Sequence, residues 1–230
     1  NEGKQSLFRS ISEKKHQLEQ ARLHAKLQQE KIDISLPGRG IDSGSRHPVT
    51  LVQNRIVSLF EKKYGFVQAS GPEIVDTFHN FTALNMGEDH PARAMHDTFY
   101  LKGNDQLLRT HTSCVQIKTM MGASPPFRVV AAGRVFRKDS DLTHTPMFHQ
   151  LEGFVVDKKS SFADLKLLIT DFLQTFFEKE LTFRFRSSYF PFTEPSAEVD
   201  IMGPDGWLEV LGCGMIHPKV LESCGIDFEQ

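Results

Sequence analysis

The residues best suited to chemistry lie where one strand ends and the next begins. An apolar run from Arg128 ends in Arg137, beside the polar loop 138–146. A guanidinium held at the rim of a sheet suits bidentate capture of a phosphate or a carboxylate. His144 lies in the same loop, where an exposed turn residue is the ordinary interpretation.

The returning strand carries an unusual polar pair. Because side chains alternate along a strand, Phe148, Gln150, Glu152 and Phe154 share one face. Burying a Gln and a Glu together is costly unless they find a partner. Either this face stays wet, or the pair receives a cation such as the ammonium group of an amino acid.

A third group of polar residues, His111, Ser113 and Gln116, lies close together in the sequence. A zwitterion entering a closed site needs several neutral and charged partners, and these residues offer them. The alternative is a helix N-cap, since a Ser or Thr before a helix satisfies free N–H groups. The two roles can coexist.

Two phenylalanines and a glutamate, Phe190, Phe192 and Glu194, are spaced two apart. An extended backbone would place all three on one face, where neighbouring rings can offer edge-to-face contacts of about 0.5–1.5 kcal/mol per pair. Ordinary core packing is the alternative. Further along, Gly212 and Gly214 would let the backbone approach a ligand closely.

The elements that must position these residues are predicted to be helices mixed with short strands. Helices are predicted at 4–33, 47–63, 113–121 and 162–178, and strands at 66–74 (interrupted at Gly71-Pro72), 98–101, 106–109, 128–137, 147–156, 182–185, 198–202 and 207–211. Residues 75–96 give no secure prediction. Successive strands without regularly alternating helices indicate an α+β domain with a largely antiparallel sheet.

The first predicted helix is set apart from the rest of the chain. Its apolar residues follow a weak coiled-coil spacing, which requires a partner helix. Residues 1–31 carry a net charge of +3, from seven Lys/Arg and four Glu, against −2 for the whole chain. The polar linker 41–46 follows a Pro- and Gly-containing stop. We therefore predict a boundary that separates residues 1–40 from 41–230.

Composition restricts the remaining possibilities. A net charge of −2 gives the chain as a whole no electrostatic case for nucleic-acid binding. The three cysteines lack the paired spacing of a zinc site and favour a reducing compartment. No apolar run approaches the length of about 18 residues that a membrane span needs. A cytoplasmic protein without a membrane segment is the expectation.

The strings Gly133–Arg137, Thr143-His144 and Phe148–Gly153 together resemble motif 2 of the class II aminoacyl-tRNA synthetases. Their form is similar to that of bacterial phenylalanyl-tRNA synthetase α subunits, and the resemblance covers essentially the whole chain. It implies a class II catalytic core at 41–230, with its sheet flanked by helices. Before the core it implies the second arm of an N-terminal coiled coil and a hinge at 1–40, and it makes His47–Ile74 similar to motif 1, a subunit-interface motif.

The resemblance also assigns roles to individual residues. Arg137 would be the catalytic residue that binds the α-phosphate of ATP, and His144 would contact ATP as well. Glu194 would bind Mg²⁺, and Glu209 either helps to carry Mg²⁺–ATP or is a surface glutamate. The residues that would bind phenylalanine are His111, Ser113, Gln116, Gln150, Glu152, Phe190, Phe192, Gly212 and Gly214.

The implied function is ATP-dependent activation of L-phenylalanine and its transfer to the tRNA for phenylalanine. The implied partners are the tRNA for phenylalanine and a β subunit, with which the chain would form an α2β2 heterotetramer. Editing of mischarged tRNA would belong to the β subunit. The family's motif 3 is expected shortly after Asp227 and is absent from the sequence. Two alternatives stay open: a non-catalytic assembly or tRNA-docking fragment, and a paralogue that passes an aminoacyl-adenylate to another acceptor.

Overall fold

The computed structural model describes residues 2–33, 35, 44–93, 97–103, 105–139 and 144–227. Contacts divide the chain into two units, Asn1–Ser45 and Arg46–Gln230. Among its described residues the first unit contains one helix, α1 (Glu2–Gln29), which ends earlier than the predicted 4–33. Its described side chains are all exposed. The Pro- and Gly-containing stop predicted at 36–40 and the first part of the predicted linker lie outside the described residues.

The second unit mixes helices with short and long strands. In chain order these are α2 (Pro48–Tyr64), β1 (Val67–Ala69), β2 (Ile74–Asp76), α3 (Thr77–Asn80), β3 (Gln106–Leu108), α4 (Ser113–Gly122), β4 (Phe127–Phe136), β5 (Met147–Val156), α5 (Phe162–Phe177), β6 (Phe183–Phe190), β7 (Thr193–Gly203), β8 (Gly206–Ile216) and α6 (Pro218–Ser223). Short 3-10 turns cover Thr82–Leu84 and Pro91–Arg93. No helix in the described part of the chain is both long and apolar enough to cross a lipid bilayer.

One three-stranded sheet is built around β4. Strand β1 pairs with it in parallel and β5 pairs with it antiparallel. Neighbouring residues of β4 point to opposite faces, and both Val129 and Val130 are buried, each in a different hydrophobic cluster. A sheet covered on both faces explains why β4 is a nearly continuous apolar run rather than an alternating one.

Helices α2 and α5 cover one face of this sheet. Phe60 of α2 and Phe172 of α5 lie with their ring centroids 4.9 Å apart. Helix α5 begins with a capping box, in which Ser161 and Asp164 exchange hydrogen bonds, and ends at Glu178 in the left-handed conformation. Both ends are therefore fixed locally, and the predicted helix at 162–178 is confirmed.

A second, fully antiparallel sheet consists of β6, β7 and β8. Its strands are longer than predicted because the polar residues on one face satisfy each other across the strands. Asp200 of β7 accepts hydrogen bonds from Arg184 and Arg186 of β6, and its side chain is 2% exposed. The α+β fold with largely antiparallel sheets is confirmed.

Two predicted strands differ from the structure. The segment predicted at 66–74 divides into β1 and β2, which belong to different sheets, and Gly71-Pro72 separates them. A strand predicted at 98–101 is reduced to a single bridge between Tyr100 and Leu107. Backbone hydrogen bonds from Leu101 to Gln106 and from Leu108 to Phe99 flank this bridge, so the segment pairs with one edge of β3 while β2 pairs with the other, over too few residues to form a longer strand.

Candidate active site

The first turn of α4 is tied to β5 through a carboxylate. Thr112 and Ser113 each donate a side-chain hydrogen bond to Glu152, at 2.6 and 2.7 Å. Thr112 makes no capping hydrogen bond to the helix backbone. The interpretation of these hydroxyls as a cap is therefore wrong, because Glu152 takes both of them. Burial raises the pKa of Glu152, and the two hydroxyls oppose that rise by stabilising the charged form.

His111 is buried, with an exposed fraction of 9%. Its Nε2 lies 2.9 Å from the carbonyl oxygen of Asn80, which can only accept, so Nε2 carries the proton. Burial, with a smaller contribution from the positive charges of Arg137 and Arg109, lowers the pKa of His111 to about 4, and the hydrogen bond to Asn80 opposes this shift. The imidazole is thus neutral near pH 7, with Nδ1 as a hydrogen-bond acceptor.

Two acceptors in this region have no partner. Across the part of the chain that the structure describes, only His111 Nδ1 and Gln150 Oε1 are buried side-chain polar atoms without a hydrogen bond. Gln150 lies two residues before Glu152 on β5, so the two side chains share one face, as predicted. Unpaired buried acceptors beside a carboxylate form a site for a donor-rich cation.

The aromatic part of the site differs from its prediction. Phe190 ends β6 and Thr193 begins β7, so Pro191 and Phe192 form the turn of a hairpin. The prediction that an extended backbone places Phe190, Phe192 and Glu194 on one face is therefore wrong. The hairpin nevertheless stacks the two rings, with centroids 5.8 Å apart and planes at 17°. The ring centroids of Phe192 and His111 lie 6.5 Å apart, so the aromatic part of the site is next to its polar part.

Gly212 and Gly214 of β8 lie against this hairpin. A Cβ added to Gly212 would lie 2.8 Å from Cζ of Phe190, and one added to Gly214 would lie 2.6 Å from the carbonyl oxygen of Pro195. Protein atoms therefore fill the space where a side chain would start at each glycine, and contact of these residues with a ligand stays a prediction. The absence of a side chain at Gly212 allows the Phe190 ring to pack against β8.

Arg137 lies one residue past the end of β4 and is fixed on two sides. Its Nε donates to the carbonyl oxygen of Thr110 at 3.1 Å, and its guanidinium carbon lies 5.1 Å from the centroid of the Phe148 ring. Partial desolvation lowers its pKa, although an arginine stays charged at any ordinary pH. The strand end therefore presents a positive charge next to the segment that carries His111.

The two candidate metal ligands have different surroundings. The Glu194 side chain is 75% exposed, and its carboxylate lies 3.4 Å from Nε2 of His217. Glu209 is bound to Arg186 at 3.0 Å. No group of three or more His, Cys, Asp or Glu able to hold a metal ion occurs among the described residues. An exposed single carboxylate fits Mg²⁺ that arrives with a phosphate ligand, so Glu194 fits this role better than Glu209.

The last two predicted site residues lie on α4 and in the loop between β4 and β5. Gln116 is half-buried on α4, about one helical turn after Ser113. His144 is exposed in the loop between β4 and β5, and Thr143 beside it lies outside the described residues.

One buried cation escaped the sequence interpretation. Arg109 is 3% exposed and donates to the carbonyl oxygens of Arg134 and Gly71, at 2.8 and 3.1 Å. A Cβ added to Gly133 would lie 2.1 Å from its guanidinium. Gly133 was the available signal, because a glycine inside a buried strand marks a close approach by another group.

Comparison with known proteins relates this chain to a known family. The family model for the tRNA synthetases class II core domain (F) matches residues 31–230. The phenylalanine–tRNA ligase alpha subunit of Aliivibrio fischeri (strain MJ11) is 58% identical over 231 residues, covering 100% of this chain and 70% of that protein. The same subunit of Hydrogenovibrio crunogenus is 59% identical over 235 residues, with the same coverage. A pyrrolysyl-tRNA synthetase from Desulfitobacterium hafniense shares the fold, with a TM-score of 0.59, 20% identity and coverage of 95% of this chain and 73% of that one.

Proposed function

Since this chain belongs to the family of phenylalanine–tRNA ligase alpha subunits, with a class II tRNA synthetase core, we propose that it activates L-phenylalanine with ATP and charges tRNA. Phenylalanine binds with its ammonium group among His111, Gln150 and Glu152. Its side chain lies against the rings of Phe190 and Phe192. The pocket thus recognises the two groups that distinguish phenylalanine from other small molecules, its ammonium group and its phenyl ring.

One observation carries this proposal. Two buried acceptors without partners, His111 Nδ1 and Gln150 Oε1, share a region with the carboxylate of Glu152 and a stacked pair of phenylalanine rings. An ammonium group supplies the missing donors, and a phenyl ring extends the aromatic contacts. Ser113 acts through Glu152, which it holds in place, and Gln116 lies one turn further along the same helix.

The reaction requires no side-chain nucleophile. The carboxylate of phenylalanine attacks the α-phosphorus of ATP, the bond to the bridging oxygen breaks, and pyrophosphate leaves with the electron pair. The phenylalanyl group of the resulting adenylate then passes to a ribose hydroxyl of the tRNA, and AMP is released. Arg137 stabilises the negative charge that grows on the α-phosphate, and His144 contributes to ATP binding.

Mg²⁺ is part of this proposal as the companion of ATP. Glu194 would hold it, since its carboxylate is exposed and, within the described ranges, is paired with His217 alone. Glu209 is the less suitable ligand because Arg186 already occupies it. When bound, the ion neutralises charge on the phosphates.

The proposed partners follow from the family. The relatives are named alpha subunits, which implies a beta subunit, and we infer an α2β2 assembly in the cytoplasm. The tRNA for phenylalanine is the second partner, and the charge of +3 on residues 1–31 supports a contact with it. An apolar pocket discriminates weakly against an added hydroxyl, so tRNA mischarged with tyrosine requires editing. By the family resemblance, we assign this editing to the beta subunit.

Amino-acid-dependent exchange of pyrophosphate into ATP tests the proposed activity. The assembled ligase should catalyse exchange with phenylalanine and should not do so with leucine or alanine, which leave the aromatic wall unfilled. Charging of total tRNA with labelled phenylalanine tests the second step. Exchange that another amino acid supports better than phenylalanine would contradict the proposal.

A further inference from the structure

The segment from Asn80 to Asn85 contacts both parts of the proposed pocket. These are a polar wall that contains His111 and an aromatic wall formed by the hairpin turn with Phe190 and Phe192. The segment comprises the end of α3 and the 3-10 turn that follows, and its Phe81, Ala83 and Leu84 are completely buried. Backbone hydrogen bonds from Leu84 and Met86 to the carbonyl oxygen of Phe81 close the segment on itself. It is therefore a rigid unit, and an asparagine stands at each end.

Asn80 holds the polar wall. It is fully buried, its Nδ2 donates to Thr110 Oγ1 at 2.9 Å, and its Oδ1 accepts from the Thr110 backbone N–H at 3.2 Å. Its carbonyl oxygen accepts from Nε2 of His111. This last bond decides which imidazole nitrogen carries the proton, so Asn80 leaves Nδ1 as a buried acceptor without a partner.

Asn85 holds the aromatic wall. Its Nδ2 donates to the carbonyl oxygen of Pro191 at 2.7 Å, and Pro191 stands between Phe190 and Phe192 in the hairpin turn. Its backbone has a φ of 59°, a left-handed conformation that asparagine adopts more readily than most residues. The residue type thus meets a backbone requirement and supplies the donor.

We propose that Asn80 and Asn85 are positioning residues that fix the separation of the two walls, and with it the fit of phenylalanine. This inference rests on the proposed function. Neither asparagine touches the reacting atoms. Each sets the place of residues that bind the amino acid, namely His111 at one end and the two phenylalanines at the other. A purely structural role would affect stability and all substrates alike.

Asn85→Gly is the decisive variant because glycine keeps the left-handed backbone and removes only the side-chain donor. Steady-state pyrophosphate exchange by the assembled ligase should show KM for phenylalanine raised about 3- to 10-fold, as expected for one lost hydrogen bond. KM for ATP should change by less than about twofold. Glu178→Gly is the matched control, since Glu178 is the other described non-glycine residue with positive φ and lies at the end of α5.

Thr110→Val tests the other end. Valine keeps the shape of threonine and removes the Oγ1 that Asn80 binds, so KM for phenylalanine should rise more than KM for ATP. Thr98→Val is its control, because Thr98 is also fully buried and makes one hydroxyl hydrogen bond, to the carbonyl oxygen of Ala92. The control should lower thermal stability without separating the two KM values.

The outcomes separate this inference from the proposed function. An active wild-type ligase whose Asn85→Gly variant keeps both KM values, or changes them equally, would overturn the positioning role alone. A wild-type ligase without phenylalanine-dependent exchange would overturn the proposed function and the positioning role with it. A rise confined to KM for phenylalanine, absent from both control variants, is the result we expect.

Discussion

The Nε atom of Arg137 donates a hydrogen bond to the carbonyl oxygen of Thr110 at 3.1 Å. His111 follows Thr110 directly, so a single piece of backbone holds the arginine at the end of β4 and an acceptor of the amino-acid pocket. The group proposed to bind a phosphate and the group proposed to bind an ammonium are thereby held at a fixed distance from each other. This arrangement suits a reaction whose catalysis consists mainly of positioning and charge stabilisation.

Replacing Arg137 by alanine should slow adenylate formation. The charge that it stabilises grows in the transition state, so kcat for pyrophosphate exchange should fall about 10²–10³-fold. Arg128→Ala provides a control, since Arg128 lies on β4, which ends just before Arg137, and donates to the carbonyl oxygen of Tyr64. Exchange by Arg137→Ala close to the wild-type rate would refute the assigned role.

Glu152→Gln should separate binding from stability. The change removes the negative charge opposite the ammonium group, so KM for phenylalanine should rise about 10- to 100-fold. The thermal midpoint should stay level or rise, because a buried carboxylate no longer has to be desolvated. Asp171→Asn, which alters a carboxylate on α5 that accepts from Tyr64, should leave KM unchanged. A lower midpoint with unchanged KM would show that Glu152 is structural.

The depressed pKa of His111 predicts a pH-dependent stability. Its folded-state pKa of about 4 lies below the unfolded value of 6.5, so between these values the unfolded chain binds the additional proton. The free energy of unfolding should therefore decrease as the pH falls from 6.5 to 4, by up to about 3 kcal/mol. Denaturant unfolding at several pH values, for the wild type and for His111→Gln, measures this. Identical pH profiles for the two proteins would contradict the buried, neutral imidazole.

Phe192→Ala should act on phenylalanine more than on ATP. The loss of a ring from the stacked pair should raise KM for phenylalanine about tenfold or more, leave KM for ATP nearly unchanged and admit bulkier para-substituted phenylalanines. Tyr189→Ala is the control, since Tyr189 is 79% exposed. If Phe192 is only a core residue, the thermal midpoint should drop by the equivalent of about 3–5 kcal/mol and both substrates should suffer equally.

The sequence alone predicted the elements whose signals are local. The apolar stripe and end residues of α5, and the alternation along β5, depend only on neighbours in the chain. The use of the Thr112 and Ser113 hydroxyls was not predictable, because their acceptor, Glu152, lies on a strand about 40 residues away.

The hairpin turn was misjudged for a different reason. Phe190, Phe192 and Glu194 have strand spacing, but Pro191 and the pairing of Phe190 with Thr193 turn the chain there. The segment from Asn80 to Asn85 escaped prediction because its asparagines are satisfied by Thr110 and Pro191, which no local pattern can reveal. Roles of individual site residues depend on such distant contacts, whereas the fold class does not.

The central claim is that one pocket pairs an ammonium site, made by His111, Gln150 and Glu152, with an aromatic wall. Competitive inhibition of pyrophosphate exchange by two phenylalanine analogues tests it most directly. Phenylalaninol keeps the ring and the ammonium group, whereas 3-phenylpropionate keeps the ring and the carboxylate. We expect phenylalaninol to inhibit at least about 100-fold more strongly, because the other analogue leaves the buried acceptors unpaired. Equal inhibition by the two analogues would contradict the account.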